Sequence, residues 1–594
     1  MTDSATPVAI NHTRLSRVQM TAWVVVSFVF GLLAAAPALL FRIDPAADYR
    51  GIEMQGTDAE AHYAARVKEM QDGFTSAANV FYSAPKQQPF LFAPMPEWTA
   101  SLIARPFGLD APRALTLSHM VFGTAACAVM IGFFYTFSRR FWWALLSVSV
   151  WMFAGFVFSG PSMLMRIVLG TQGAISFLSF ARPISPEWSA LLFFGALWGF
   201  VAWIRNGSRR ALVLAAVATI LSVYSYLYVW TLLGPLFVIA FVRYALRRDS
   251  RRLIELTVCA SIIVLASLPY AANVWAAMHH PFYEETTRRH GMVASRHIVM
   301  GAYLVFLPLL VLAFRKRLGA MAWVAGAFAV AAIIAENQQI ITGRSMVIAH
   351  YHWYFVKPFT AILFVMLIGS WVYDRWGRPW FHRRAQFARN LLIVAILLMM
   401  LFGVGALYQF RSYEVARPTW RGYQSTSGAL SWLRLNTHAG DVVYASGVIR
   451  ELIPVYTSAD VYWAINAPLY LSSDVRARDA YFFQLWLAGV SADEAEATLF
   501  TTRRTELSSW VYSIYYREAG SYDQIPDEEV RRAVDAYRVY LARSIDERLL
   551  AYPLDYVVIA HTDPVSEGWK AIKDRSKQVY QDEAFEVRSI DKSP

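Results

Sequence analysis

Charged residues are scarce in this 594-residue chain, at 16%, against 56% hydrophobic and 15% aromatic residues. A soluble globular protein has about 25% charged and about 45–50% apolar residues. A wholly soluble enzyme, a disordered chain and a fibrous repeat are therefore excluded. Cysteine is rarer still. Cys127 and Cys259 both fall inside apolar runs, so there is neither a disulfide scaffold nor a Cys-rich metal site. A G-x-G-x-x-G fingerprint and a P-loop are also missing, which argues against a nucleotide site.

Long apolar runs fill the chain up to about residue 411, and the last ~180 residues have the composition of an ordinary soluble protein. A helix needs roughly 20 apolar residues to cross a bilayer. By that measure about eleven spans are expected, at 20–41, 114–137, 141–159, 188–204, 211–223, 227–244, 253–275, 298–314, 321–335, 354–372 and 391–410. The fifth is short. The chain thus reads as a polytopic α-helical membrane protein with a C-terminal soluble α/β domain, divided as 1–411 and 412–594. The formal charge of +12 does not form a nucleic-acid face. Much of it lies in short clusters between runs: Arg14 and Arg17, Arg139 and Arg140, Arg205 to Arg210, Arg243 to Arg252, Arg315 to Arg317, and Arg375 to Arg389. With eleven spans every cluster falls on one side, the cytoplasmic one by the positive-inside bias. The first run lacks a small-residue cleavage site and reads as a retained anchor. The N-terminus is then cytoplasmic and the C-terminal domain periplasmic, in a bacterial inner membrane.

The polar oddities of the membrane half all fall on the outer face. The long first loop (42–113) contains GTDAEAHYAARVKEMQDG. Thr57 and Glu60 have capping-box spacing, and Asp58, His62, Arg66 and Glu69 follow at spacings of four, four and three, one polar helix face. Such a helix either lies on the membrane surface with these groups solvated or gathers them for chemistry. The stretch NVFYSAPKQQPFLFAPMPEW is rich in proline and aromatics, suits an interface, and carries Glu97. The second outer loop ends in FARPISPEW, where Arg182 is placed either to meet a phosphate headgroup or simply to snorkel, and Glu187 sits on a helix dipole. After the ninth run comes ENQQIITGRSMVIAHYHWYFVKP, with Glu336, Gln338, Arg344, His350, His352 and Lys357. Ionisable groups at membrane depth are costly and usually mark a site. A guanidinium, two imidazoles and an amine suit a phosphate or pyrophosphate. His350-x-His352 leaves a divalent metal open as a rival ligand.

In the tail, residues 427–437 read as an amphipathic helix, DVVYASG and VYWAIN as strands, 449–455 and RDAYFFQLWLAG as helices, and YVVIAHTDP as a further strand. Strand–helix alternation suggests a small α/β layer structure.

On these residues the chain resembles the GT-C class of integral membrane glycosyltransferases. The stretch Thr57-Asp58-Ala59-Glu60-Ala61-His62-Tyr63, with Arg66, is similar to the acidic first-loop motif of that class, and to the Asp, His and Arg pattern of oligosaccharyltransferase catalytic subunits. The WWDYG signature of those subunits is absent, since Val511 and Tyr512 follow Trp510. The resemblance implies transfer of a single sugar from a polyprenyl-phosphate donor to a glycan, lipid or protein acceptor. Asp58 is then the general base, Glu60 a second carboxylate and His62 their neighbour. Arg66, Glu97, Arg182, Glu336, Gln338, Arg344, His350, His352 and Lys357 become substrate contacts, with membrane lipids as the remaining partners. Two rivals stay open. A polymerase or ligase of lipid-linked glycans shares the outer-face geometry. A transporter or flippase needs polar residues spread through mid-membrane.

Overall fold

The computed structural model describes residues 15–56, 60–158, 162–169, 171, 177–377, 384–515 and 525–591. Apolar runs become helices because a bilayer leaves no other partner for the backbone. In chain order these are α1 (Arg17–Ile43), the loop helices α2 (Glu60–Gln71) and α3 (Met95–Ala104), α4 (Ala111–Ser138), α5 (Phe141–Ala154), the short α6 (Ser162–Leu169), α7 (Glu187–Asn206), α8 (Arg209–Val223), α9 (Leu227–Leu246) and α10 (Ser250–Met278). There follow α11 (Tyr283–Arg289), α12 (Ala302–Ala313), α13 (Arg315–Leu318), α14 (Ala322–Glu336), α15 (Gln339–Thr342), α16 (Ala349–Tyr351), α17 (Lys357–Val372) and α18 (Arg384–Tyr423).

Each of the eleven expected runs contains a helix, but among the described residues nine helices are long and apolar enough to cross a membrane, by length and composition. The fifth and eighth runs give α8 and α12. At 15 and 12 residues they reach only roughly 22 and 18 Å at 1.5 Å per residue, short of the ~30 Å hydrocarbon core. Both belong to the bundle all the same, α8 packing on α7 and α12 on α14.

The expected boundary at 411–412 falls inside α18, which continues as one 40-residue helix from the bundle to Tyr423. The apolar run stops at Phe410, yet the following turns stay helical because they dock on the end of α1. There the Tyr413 hydroxyl (2.5 Å) and the Arg417 guanidinium (2.9 Å) donate to the Asp44 carboxylate. Beyond it come α19 (Ser427–Asn436), β1 (Val442–Ala445), α20 (Ile449–Tyr456), β2 (Asp460–Val461), α21 (Asp474–Leu487), β3 (Tyr556–Ala560), β4 (Ser576–Gln581) and β5 (Phe585–Ile590). The sheet order is β2-β1-β3-β5-β4. β1 runs parallel to β2 and β3, and β5 antiparallel to β3 and β4. Of the expected strand VYWAIN only Val461 lies in β2, because the chain turns away after it. This domain sits on the first loop: the Val461 N–H donates to Phe81 O, and α20 packs on α2. One apolar cluster fills the helix bundle. A second joins the first loop to α19, α20 and the sheet.

Candidate active site

Asp58 lies outside the described residues. The helix after it, α2, does not lie on a membrane surface with a solvated polar face. It is inserted between α3, α4 and α20, and Glu60, His62, Arg66 and Glu69 are all buried. Burial of four ionisable groups is tolerable only if each finds compensation, and each does so differently. Glu60 Oε2 accepts from the Gly56 N–H at 2.8 Å. Arg66 Nε donates to Glu97 Oε1 at 2.6 Å, with both side chains buried, and its Nη2 reaches Phe92 O. Burial opposes the Arg66 charge, but Glu97 and Tyr470 outweigh it and hold its pKa above the ordinary range. Glu69 is pushed up to about 7 by burial, against the pull of Lys86. His62 stays neutral, since burial and then the Arg66 charge hold its pKa well below the usual value. Its ring sits among Tyr63, Phe81, Phe92 and Tyr470.

The second outer loop brings Arg182 to the same place. Its guanidinium lies 5.6 Å from the Tyr63 ring centre, and Nη1 donates to Ser185 O (2.8 Å) and to the Tyr354 hydroxyl (3.2 Å). The Tyr354 ring in turn meets His350, whose Nδ1 is 2.7 Å from the Tyr226 hydroxyl. Arg182, His350, Tyr63, Tyr226 and Tyr354 thus form one polar and aromatic cluster, one helical turn from Glu60.

The rest of the stretch after α14 separates. His352 and Lys357 turn toward Tyr303, and the Lys357 ammonium lies 3.7 Å over the Trp353 ring. Arg344 makes two bonds to the Glu284 carboxylate at 2.8 and 2.9 Å on the exposed surface. Gln338 donates to Arg344 O and accepts from Thr342. Glu336 is buried and its Oε1 has no hydrogen-bond partner among the described residues. His350 and His352 face different neighbours, and among the described residues no three His, Cys, Asp or Glu side chains gather to hold a metal.

Three features escaped the sequence reading. Glu53 is buried and gathers Arg42 (2.7 Å), Tyr49 (2.5 Å) and Arg113 (3.0 Å), tying the two ends of the first loop together. His119 and Glu187 pair at 2.7 Å inside the bundle, and part of the signal was available, since His119 is an imidazole within an apolar run and Glu187 directly precedes another. The third is a groove of about 1020 Å³ between α8, α9 and α10, lined by Leu227, Trp230, Phe237, Ile263, Tyr270 and Trp275. Phe90, Leu91 and His290 close its outer end. Phe92 stacks on His290 and also contacts His62. Tyr226, beside Leu227, belongs to the Arg182 cluster. The wall of the groove thus adjoins the polar site at Leu227 and His290.

No family model and no curated protein matches the chain. Among solved structures it is similar to ArnT from Cupriavidus metallidurans in the apo state, at 14% identity over 96% of this chain and 97% of that one, with a TM-score of 0.46. It is likewise similar to the same ArnT bound to undecaprenyl phosphate, at 13% identity over 97% and 98%, TM-score 0.47. A third likeness is to the apo oligosaccharyltransferase of Archaeoglobus fulgidus, at 12% identity over 91% of this chain and 69% of that one, TM-score 0.39.

Proposed function

We propose that the protein is a GT-C-type membrane glycosyltransferase that moves one sugar from a polyprenyl-phosphate donor to an acceptor on the periplasmic face of a bacterial inner membrane. The observation that carries this reading is the apolar groove of about 1020 Å³, whose wall adjoins the polar site at two places: Leu227 follows Tyr226 of the Arg182 cluster, and His290 meets Phe92, which lies against Arg66. A long prenyl chain is apolar throughout and ends in a phosphate, so it needs just this sequence of surroundings. The tail lies along α9 and α10. The phosphate reaches the Arg182 cluster, where a guanidinium offers paired donors to its oxygens and His350 adds a further donor. Lys357, His352, Gln338 and Glu336 stand farther along the same outer face, as contacts for the sugar or the acceptor, while Arg344 there is already paired with Glu284. Arg66, Glu97 and His62 act as the frame that fixes α2.

The chemistry is a displacement at the anomeric carbon. The first-loop carboxylates, Asp58 with Glu60 two residues on, take the proton of the acceptor hydroxyl. Arg182 stabilises the charge that gathers on the departing phosphate. The Arg clusters of the loops support an inward N-terminus and an outward C-terminal domain.

Membranes from cells with and without the chain, given radiolabelled polyprenyl-phosphate sugar, test this. Label should pass to an acceptor fraction only when the chain is present, and Asp58→Asn should lower the rate by about 10²–10⁴-fold. Label that never leaves the lipid, across the common donor sugars, overturns the reading. Label growing into long chains shifts it to a glycan polymerase.

A further inference from the structure

Two ionisable groups inside the bundle take no part in the step above. His119 lies on α4 and Glu187 in the first turn of α7, and both are buried. His119 Nδ1 is 2.7 Å from Glu187 Oε1, and its Nε2 is 3.9 Å from Glu60 Oε1. Glu187 Oε2 has no hydrogen-bond partner among the described residues. Leaving a buried carboxylate oxygen unpaired is expensive, and the expense is greater at membrane depth. Simple packing requires neither this charge nor this imidazole.

What the arrangement does achieve is orientation. A carboxylate accepting the Nδ1 proton fixes the tautomer of the ring and leaves Nε2 as the atom that faces Glu60. The 3.9 Å separation exceeds a hydrogen bond. Beside both groups lies a cavity of about 20 Å³, also lined by Glu53, Gln55 and Thr116. That is room for one water, and either a bridging water or a small ring rotation closes the gap.

Resting on the function proposed above, we infer that His119 is a positioning residue for the transfer: oriented by Glu187, it holds Glu60 toward the acceptor. The step balances as follows. The acceptor oxygen bonds to the anomeric carbon, and the bond from that carbon to the phosphate oxygen breaks with its electron pair leaving on the polyprenyl phosphate. The hydroxyl proton passes to the Glu60 carboxylate, which His119, fixed by Glu187, holds in place from its Nε2 side.

The test uses the purified full chain and its polyprenyl-phosphate sugar donor, comparing wild type, His119→Gln and Glu187→Gln. The expected result is a fall in kcat of about 10- to 100-fold, with donor KM changed less than about threefold, an altered acidic limb in the pH–rate profile, and an unchanged melting temperature. Wild-type kcat and profile in both folded variants overturn the inference. If His119→Gln does not fold, Glu187→Gln decides, because glutamine still accepts the Nδ1 proton but carries no charge. A second measurement does not depend on turnover. In ¹⁵N-histidine-labelled protein, Glu60→Gln must shift the His119 ring signals, and unshifted signals overturn the inference. A wild-type chain that transfers no sugar while passing this second measurement sinks the proposed function and leaves the His119–Glu60 contact standing.

Discussion

Arg182 is half-buried between Tyr63 and Tyr354, whereas Arg344 is exposed and already bonded twice to Glu284. From sequence the two arginines look alike, each a guanidinium in an outer loop. Their surroundings separate them, because a charge in a partly dry site interacts more strongly with a phosphate than one in water. Arg182→Ala should lower kcat/KM for the donor by about 10²-fold. Arg344→Ala should change it less than about twofold, and an exposed ion pair of this kind contributes only about 0–1 kcal/mol to stability. Steady-state kinetics and a melting curve on each variant check both expectations. Equal losses for the two variants would place the phosphate between them and not at the Arg182 cluster.

The helices themselves were legible in outline, since every apolar run contains one, but their environment was not. The polar face of α2 was visible as a spacing, while its burial depended on partners that no local pattern reveals. Glu97 lies 31 residues from Arg66, and Asp460 lies 374 residues from Lys86. The β4–β5 hairpin was missed for the opposite reason: β4 is mostly exposed, so it lacks the apolar signature of a strand. The groove along α9 and α10 is a property of packing between elements and leaves no trace in either helix alone. It yields a prediction at this scale. Gly234 lines the groove, and a side chain added there meets nothing within 4 Å. Gly234→Trp should therefore leave the fold intact and, by filling the tail's place, raise donor KM about tenfold, or about 1.4 kcal/mol of lost binding. An unchanged KM in a folded variant would put the prenyl chain elsewhere.

At the scale of the whole molecule, the C-terminal domain is held over the site by charge as well as apolar contact. Arg289, at the end of α11, donates to Asp474 (2.5 Å) and to Pro468 O (2.8 Å). Lys86 of the first loop reaches Asp460 at 2.8 Å and Glu69 at 3.3 Å. This second junction holds two buried carboxylates and one ammonium, and its balance depends on pH. Burial pushes Glu69 up to about 7 and also raises Asp460. A carboxylate whose folded pKa exceeds its unfolded one binds more protons when folded. Its contribution is full below about 4.5 and is lost as pH rises through about 7. Lys86 is raised too, with the pull of Asp460 and Glu69 outweighing burial, so its contribution fades only in strongly alkaline solution and does not enter this window. The melting temperature of the full chain should therefore fall between about pH 5 and pH 8, and Glu69→Gln should flatten that fall while leaving the Lys86–Asp460 pair in place. A slope as steep in the variant as in the wild type would show that the junction is already balanced without the Glu69 proton. Because the same junction carries the C-terminal domain that covers α2, any loosening at higher pH is also a loosening of the frame around Glu60, and transfer rates measured across this window should be read together with the melting curve.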